Sequence, residues 1–176
     1  MGEKLSYKWD RLVISDFNNP LLPDEPGVIK IVMEEPYFFM LMEDINGKKY
    51  WKGLFKDKNL AKLLKKEDTA AVEREIGGQK VIAITRCIYI EESPNILLSV
   101  KNLANNYCIT RLQEKEVELI AKYSLADARE IFLKELWSFL IKTKGVCPPA
   151  VCQIQKCFDM GGEKAPVFLD GEPLPC

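Results

Sequence analysis

Apolar residues in the first hundred positions come in short runs bounded by turn-forming clusters, a pattern of strands rather than helices. Leu12-Val13-Ile14 is a short strand. Pro20, Pro23 and Pro26 make the next stretch a loop, because proline cannot donate to a ladder. Val28-Ile29-Lys30-Ile31-Val32-Met33 reads as a strand, Pro36 interrupts it, and residues 37–43 form a second strand, apolar on both faces. Asp44-Ile45-Asn46-Gly47 is a hairpin turn, since Asn-Gly supplies the positive φ of a tight turn. Residues 48–55 return as a third strand. Asp57 caps a short helix with Leu60, Leu63 and Leu64 on one face. A second hairpin joins residues 71–76 through Gly77-Gly78 to residues 79–90, which are β-branched and placed centrally. Ser93-Pro94-Asn95 ends that run, and residues 96–100 are expected as a further strand.

Beyond residue 102 the apolar period becomes helical. Thr110 with Gln113, and Ser124 with Asp127, have capping-box spacing. The first opens a helix carrying Leu112, Val117, Leu119 and Ile120. The second opens a longer helix, over 125–143, with Leu125, Ala128, Phe132, Leu136, Phe139 and Leu140 on its apolar face. Pro149 starts a short helix through Cys157. Strands first and helices last predict an α+β fold: an antiparallel β-rich N-terminal part, a small barrel or curved sheet, then two or three C-terminal helices. Residues 1–145 are expected as the core domain and 146–176 as a Cys-rich appendage.

Composition narrows the chemistry. With 176 residues, 47% of them hydrophobic, the chain can bury a core. It contains no histidine, which excludes Ser-His-Asp and Cys-His nucleophilic sites and every His-ligated metal. There is no G-x-G-x-x-G, P-loop or G-x-S-x-G motif. Glu34-Glu35 and Glu91-Glu92 are adjacent on strands, so the members of each pair face opposite sides and do not converge. The longest apolar run, Tyr37 to Met42, is too short to cross a membrane. No apolar leader core opens the chain, so the expectation is a cytoplasmic protein without a membrane partner.

Charge is unevenly spread. The net charge is −1, yet residues 48–66 hold eight lysines against Asp57 alone. Lys48, Lys49, Lys52, Lys56 and Lys58 interleave there with Tyr50 and Trp51. Lysines neutralise phosphates and exposed aromatic rings stack on unpaired bases. Alternation puts Lys48, Tyr50 and Lys52 on one face of a strand, and Lys49, Trp51, Gly53 and Phe55 on the other. Those seven residues, Lys48 to Lys52 with Lys56 and Lys58, are the candidate surface for single-stranded nucleic acid. The bland alternative is a solvated lysine face with Trp51 and Phe55 in the core. Asp127, Glu130 and Glu135 would repel phosphate, so the C-terminal helices do not read as a DNA-binding helix-turn-helix.

Four of six cysteines fall near the C-terminus, as Cys147-x4-Cys152-x4-Cys157-x18-Cys176. Four thiolates suit a zinc ion or an iron–sulfur cluster, although the spacing is neither a C-x2-C knuckle nor a ferredoxin pattern. A disulfide between two of them, or inert buried thiols, are the other fates open to these residues. Cys147, before a helix start, is also a candidate reactive thiolate. The leading expectation is therefore a non-catalytic nucleic-acid-associated accessory protein. The alternatives are a metal or redox protein acting through its C-terminal cysteines, and a protein-interaction subunit using the helix face over 132–140.

Overall fold

A computed structural model describes residues 7–13, 22–33, 37–65, 67–105, 115–121, 124–149, 153–169 and 171–173. Two stretches of chain set its architecture. The strands β2 (Gly27–Met33) and β3 (Tyr37–Glu43) follow one another in sequence, as do β6 (Gln79–Thr85) and β7 (Cys87–Ser93). β2 pairs antiparallel with β7, and β3 with β6. The same two stretches thus run out of one sheet and into another. At the crossing the Met33 N–H donates to the Arg86 carbonyl at 2.7 Å, and the Arg86 N–H donates to the Asp68 carbonyl at 2.8 Å.

The first sheet has the order β1-β8-β2-β7, with β1 at Asp10–Val13 and β8 at Lys115–Ala121. The second has the order β10-β9-β4-β3-β6-β5, with β4 at Lys49–Lys56, β5 at Thr69–Ile76, β9 at Val167–Leu169 and β10 at Glu172–Pro173. Among the described residues the strands of both sheets pair antiparallel, except β4 with β9, which pair parallel. Register shifts at Ile31/Val32, Phe38/Met40, Leu41/Met42 and Ala71/Arg74 bend the strands, since an extra residue in one strand sharpens the local twist. The result is an α+β fold with curved antiparallel sheets, and among the described residues no closed barrel forms.

Helix α3 (Leu125–Lys142) lies against β2, β7 and β5. Its cap is the expected one: the Ser124 hydroxyl accepts from the Asp127 N–H at 3.2 Å. It buries Ala128, Ile131, Phe132, Leu136, Phe139 and Leu140 in the main core with Ile29, Phe39, Leu41 and Trp51. The opposite face of the second sheet carries a smaller core of Phe38, Met40, Met42, Val81 and Ile84. The single turn α1 (Lys58–Ala61), capped by Asp57, covers it with Leu60, joined by Leu64 of the turn that follows. Gly53 is required in β4, because a Cβ there would lie 2.1 Å from the Phe39 ring.

Two sequence expectations are corrected. Residues 96–100 belong to a helix, α2 (Ile96–Ala104), with Asn95 accepting from the Leu98 N–H at 3.0 Å. Buried Ile96, Val100 and Leu103 recur at four and three residues, which is helical spacing. The segment expected as the first C-terminal helix contains β8 instead, an interior strand between β1 and β2. There Glu116, Val117, Glu118 and Leu119 alternate with the period of a strand. The Thr110–Gln113 capping pattern lies outside the described residues. The short helix expected from Pro149 through Cys157 starts later: Pro149 and Gln153 are not helical, and α4 spans Gln155–Asp159. Among the described residues, no helix is long and apolar enough to cross a membrane.

Candidate functional site

Strand β4 divides the basic, aromatic segment between two environments. Trp51 is fully buried and donates its indole N–H to the Cys147 carbonyl at 3.0 Å. It packs toward Phe139 with ring centroids 6.4 Å apart. It is a core residue and offers no ring to a base, which corrects its place in the candidate surface. Lys49 lies 3.8 Å from Glu163 and is largely shielded. Tyr50 and Lys52 face the other way and are partly exposed. The Tyr50 ring meets Phe168 of β9 edge to face at 5.9 Å, and its hydroxyl donates to Gln79 at 3.1 Å. Lys52 stands opposite Phe168 in the β4–β9 register. Its ammonium lies 5.1 Å from the Phe55 ring, and that of Lys56 lies 5.7 Å from the Tyr37 ring. Lys48, Lys56 and Lys58 are exposed.

Phe55 departs from simple alternation. Phe38 stands opposite Phe55 while Met40 stands opposite Lys52, so β4 carries one extra residue between them. That bulge turns Phe55 onto the Tyr50–Lys52 face, where it packs at the rim of the smaller core. Phe168 carries no signal in the sequence, because β9 is three residues long and reaches β4 through a parallel pairing from the far end of the chain.

The C-terminal cysteines are drawn together in part. Cys147 and Cys157 form a disulfide with Cα atoms 5.9 Å apart, both fully buried. The Cys147 N–H donates to the Glu163 carbonyl at 2.9 Å, and the Gly162 N–H donates to the Cys157 carbonyl at 2.8 Å. Gly162 lies against the bond so closely that a Cβ there would sit 2.3 Å from the Cys147 sulfur. Sulfurs bonded to each other are not thiolate ligands, so in this form Cys147 and Cys157 serve no metal and Cys147 is no nucleophile. Cys152, Cys176 and Cys108 lie outside the described residues. Among the described residues no group of three or more Cys, Asp or Glu is placed to hold a metal. Cys87 is buried, with its sulfur 3.7 Å from the Tyr89 carbonyl.

The helix face over 132–140 is likewise spent internally, since Phe132, Leu136, Phe139 and Leu140 are in the main core. Trp137 and Ile141 are the large apolar residues exposed along that part of α3.

A cleft of about 300 Å³ opens where α3 crosses the junction of the two sheets. Its floor is Lys30, Cys87 and Ile90, from β2 and β7. Glu135, Ser138, Phe139 and Lys142 of α3 form one wall, and Glu67, Asp68 and Thr69 the other, with Trp9 across the end. Lys30 is 6% exposed on a central strand, a position that a charged residue occupies when it is partnered. Its ammonium lies 2.5 Å from Asp68 and 4.4 Å from the centroid of a Trp9 ring. Arg86 reaches the same carboxylate at 3.9 Å and donates to the Glu67 carbonyl at 3.3 Å. Lys142 pairs with the Glu67 carboxylate at 3.0 Å. Glu135 accepts a short hydrogen bond from the Tyr7 hydroxyl. Burial, followed by the hydrogen bond to Glu135 and the charge of that carboxylate, holds the Tyr7 hydroxyl well above the ordinary phenol range.

The sequence carries two signals for this cleft. One is a lysine inside the apolar run 28–33. The other is Glu135 and Lys142 on the stripe that buried Ala128, Phe132 and Phe139 define along α3.

Comparison with family models, with curated proteins and with solved structures gives no match for this chain.

Proposed function

We propose that this chain is a non-catalytic, nucleic-acid-associated accessory protein that holds single-stranded nucleic acid on the outer face of β4 and β9. The observation that carries this reading is the edge-to-face pair Tyr50–Phe168, set on the face of Lys52 and followed by exposed Lys56 and Lys58. Partly exposed rings stack on unpaired bases whatever their identity, worth roughly 1–3 kcal/mol per base. The ammonium groups neutralise phosphates and release their counterions. Twenty lysines against five arginines suit contact with the backbone rather than bidentate reading of bases.

Fluorescence anisotropy with a labelled single-stranded oligonucleotide over a salt series tests this. Affinity is expected to fall as salt rises, and Tyr50→Ala or Phe168→Ala to weaken binding roughly 5- to 150-fold. Joint reversal of Lys48, Lys52 and Lys56 to Glu is expected to abolish the complex. Unchanged binding by that triple variant overturns the reading.

A second reading keeps the C-terminal cysteines as a metal or redox site; Cys147 and Cys157 are paired and fully buried, so exchange there requires the bond first to be exposed. Zinc or iron–sulfur ligation by Cys147, Cys152, Cys157 and Cys176 would first require that bond to be reduced. Metal content of protein purified with and without reductant separates these states.

A further inference from the structure

We propose that the cleft beneath α3 is a binding site for a small organic ammonium ion with a flat apolar body. Two cations line the cleft, and each faces a carboxylate: Lys30 with Asp68, and Lys142 with Glu67. The third lining carboxylate, Glu135, meets a neutral phenol. A carboxylate keeps acceptor capacity beyond one hydrogen bond, so Glu135 has lone pairs for a further donor.

The surroundings of Glu135 suit a cation in particular. Tyr7 and Trp9 stand edge to face with centroids 6.1 Å apart, and Phe139 and Ile90 add apolar wall. Both aromatic rings already attract ammonium groups of the protein: Lys30 lies over Trp9, and Lys134 lies 5.9 Å from the centroid of Tyr7. The quadrupole that draws those lysines acts on a ligand ammonium as well. An anion entering the same space would meet the Glu135 carboxylate, which accepts hydrogen bonds and donates none. A charge-assisted hydrogen bond from the ligand N–H to Glu135 would fix orientation, while Trp9, Phe139 and Ile90 take the apolar body.

Benzylammonium, benzyl alcohol and benzoate have one shape and three charges, and their titration by saturation-transfer NMR and tryptophan fluorescence tests the site. Benzylammonium is expected to saturate, with the alcohol and the acid at least about tenfold weaker. Glu135→Gln keeps the side-chain shape, and is expected to lower benzylammonium affinity by about tenfold while leaving the alcohol unchanged. Tyr7→Phe removes the competing donor and is expected to bind benzylammonium at least as tightly as the parent. Equal binding of all three probes, no saturation up to about 10 mM benzylammonium, or a folded Glu135→Gln variant with parental affinity overturns the proposal. Oligonucleotide binding through Tyr50 and Phe168 is read on the same variants and is expected to be unaffected, so the two sites stand or fall separately.

Discussion

Lys30 of the first sheet and Asp68, which immediately precedes the second, meet with 2.5 Å between ammonium and carboxylate, both shielded from water. Arg86, at the point where β6 becomes β7, closes on the same carboxylate. One ionic junction therefore ties a central strand of the first sheet to the start of β5 and to the point where the chain crosses from the second sheet into the first. Removing one partner of a buried pair leaves an uncompensated charge, which costs far more than the pair itself contributes. Asp68→Asn is expected to destabilise the protein by about 3 kcal/mol. Lys30→Met with Asp68→Asn should be milder than Asp68→Asn alone. Urea unfolding of the parent, the single and the double variant checks the order; a double variant worse than the single would refute the junction.

Reduction of Cys147–Cys157 is expected to lower stability by about 2–3 kcal/mol, from the unfolded-chain freedom that a short covalent loop withholds. Denaturation with and without dithiothreitol measures it. A Cys147→Ser, Cys157→Ser variant should match the reduced parent and ignore the reagent. Because Trp51 donates to the Cys147 carbonyl, its fluorescence should report the loosening.

Tyr89 donates to Glu91 at 2.6 Å, and burial, followed by the charge of Glu91, raises its hydroxyl far above the unfolded value of 10.0. Tyr7 is raised in the same sense. The folded protein keeps these protons above pH 10 while the unfolded chain releases them, so the unfolded state is favoured as pH climbs. Stability from both groups is complete below pH 10 and is lost as pH rises beyond it toward the folded values. Tyr89→Phe is expected to be about 1 kcal/mol less stable at pH 7, with a shallower alkaline decline. Equal alkaline slopes for parent and variant would exclude Tyr89 as a source.

The turns and caps of this fold are local, and they are readable locally. Asn46-Gly47, Gly77-Gly78, Asp57 and Ser124 each announce a turn or helix start through backbone chemistry confined to a few residues. β8 was illegible because Val117, Leu119 and Ile120 satisfy a helical spacing as well as an alternating one, and its partners β1 and β2 lie far off in sequence. The proposed nucleic-acid surface was half legible. Alternation placed Tyr50 beside Lys52, but the burial of Trp51 depends on α3 and Cys147, and Phe168 arrives from the last strands. The Lys30 cleft is assembled from five separated segments, so its charges converge through topology rather than spacing.

The parallel pairing of β4 with β9 also orders events in time. Trp51 waits for a carbonyl 96 positions downstream, and the β4 edge waits longer for β9. At a synthesis rate of roughly 10 residues per second, that leaves the edge open for about 10 s on the ribosome. During that interval the lysines of β4 guard an exposed strand against pairing with a neighbouring nascent chain. The lysines proposed to hold nucleic acid in the finished protein would thus also keep its unfinished form apart from its copies.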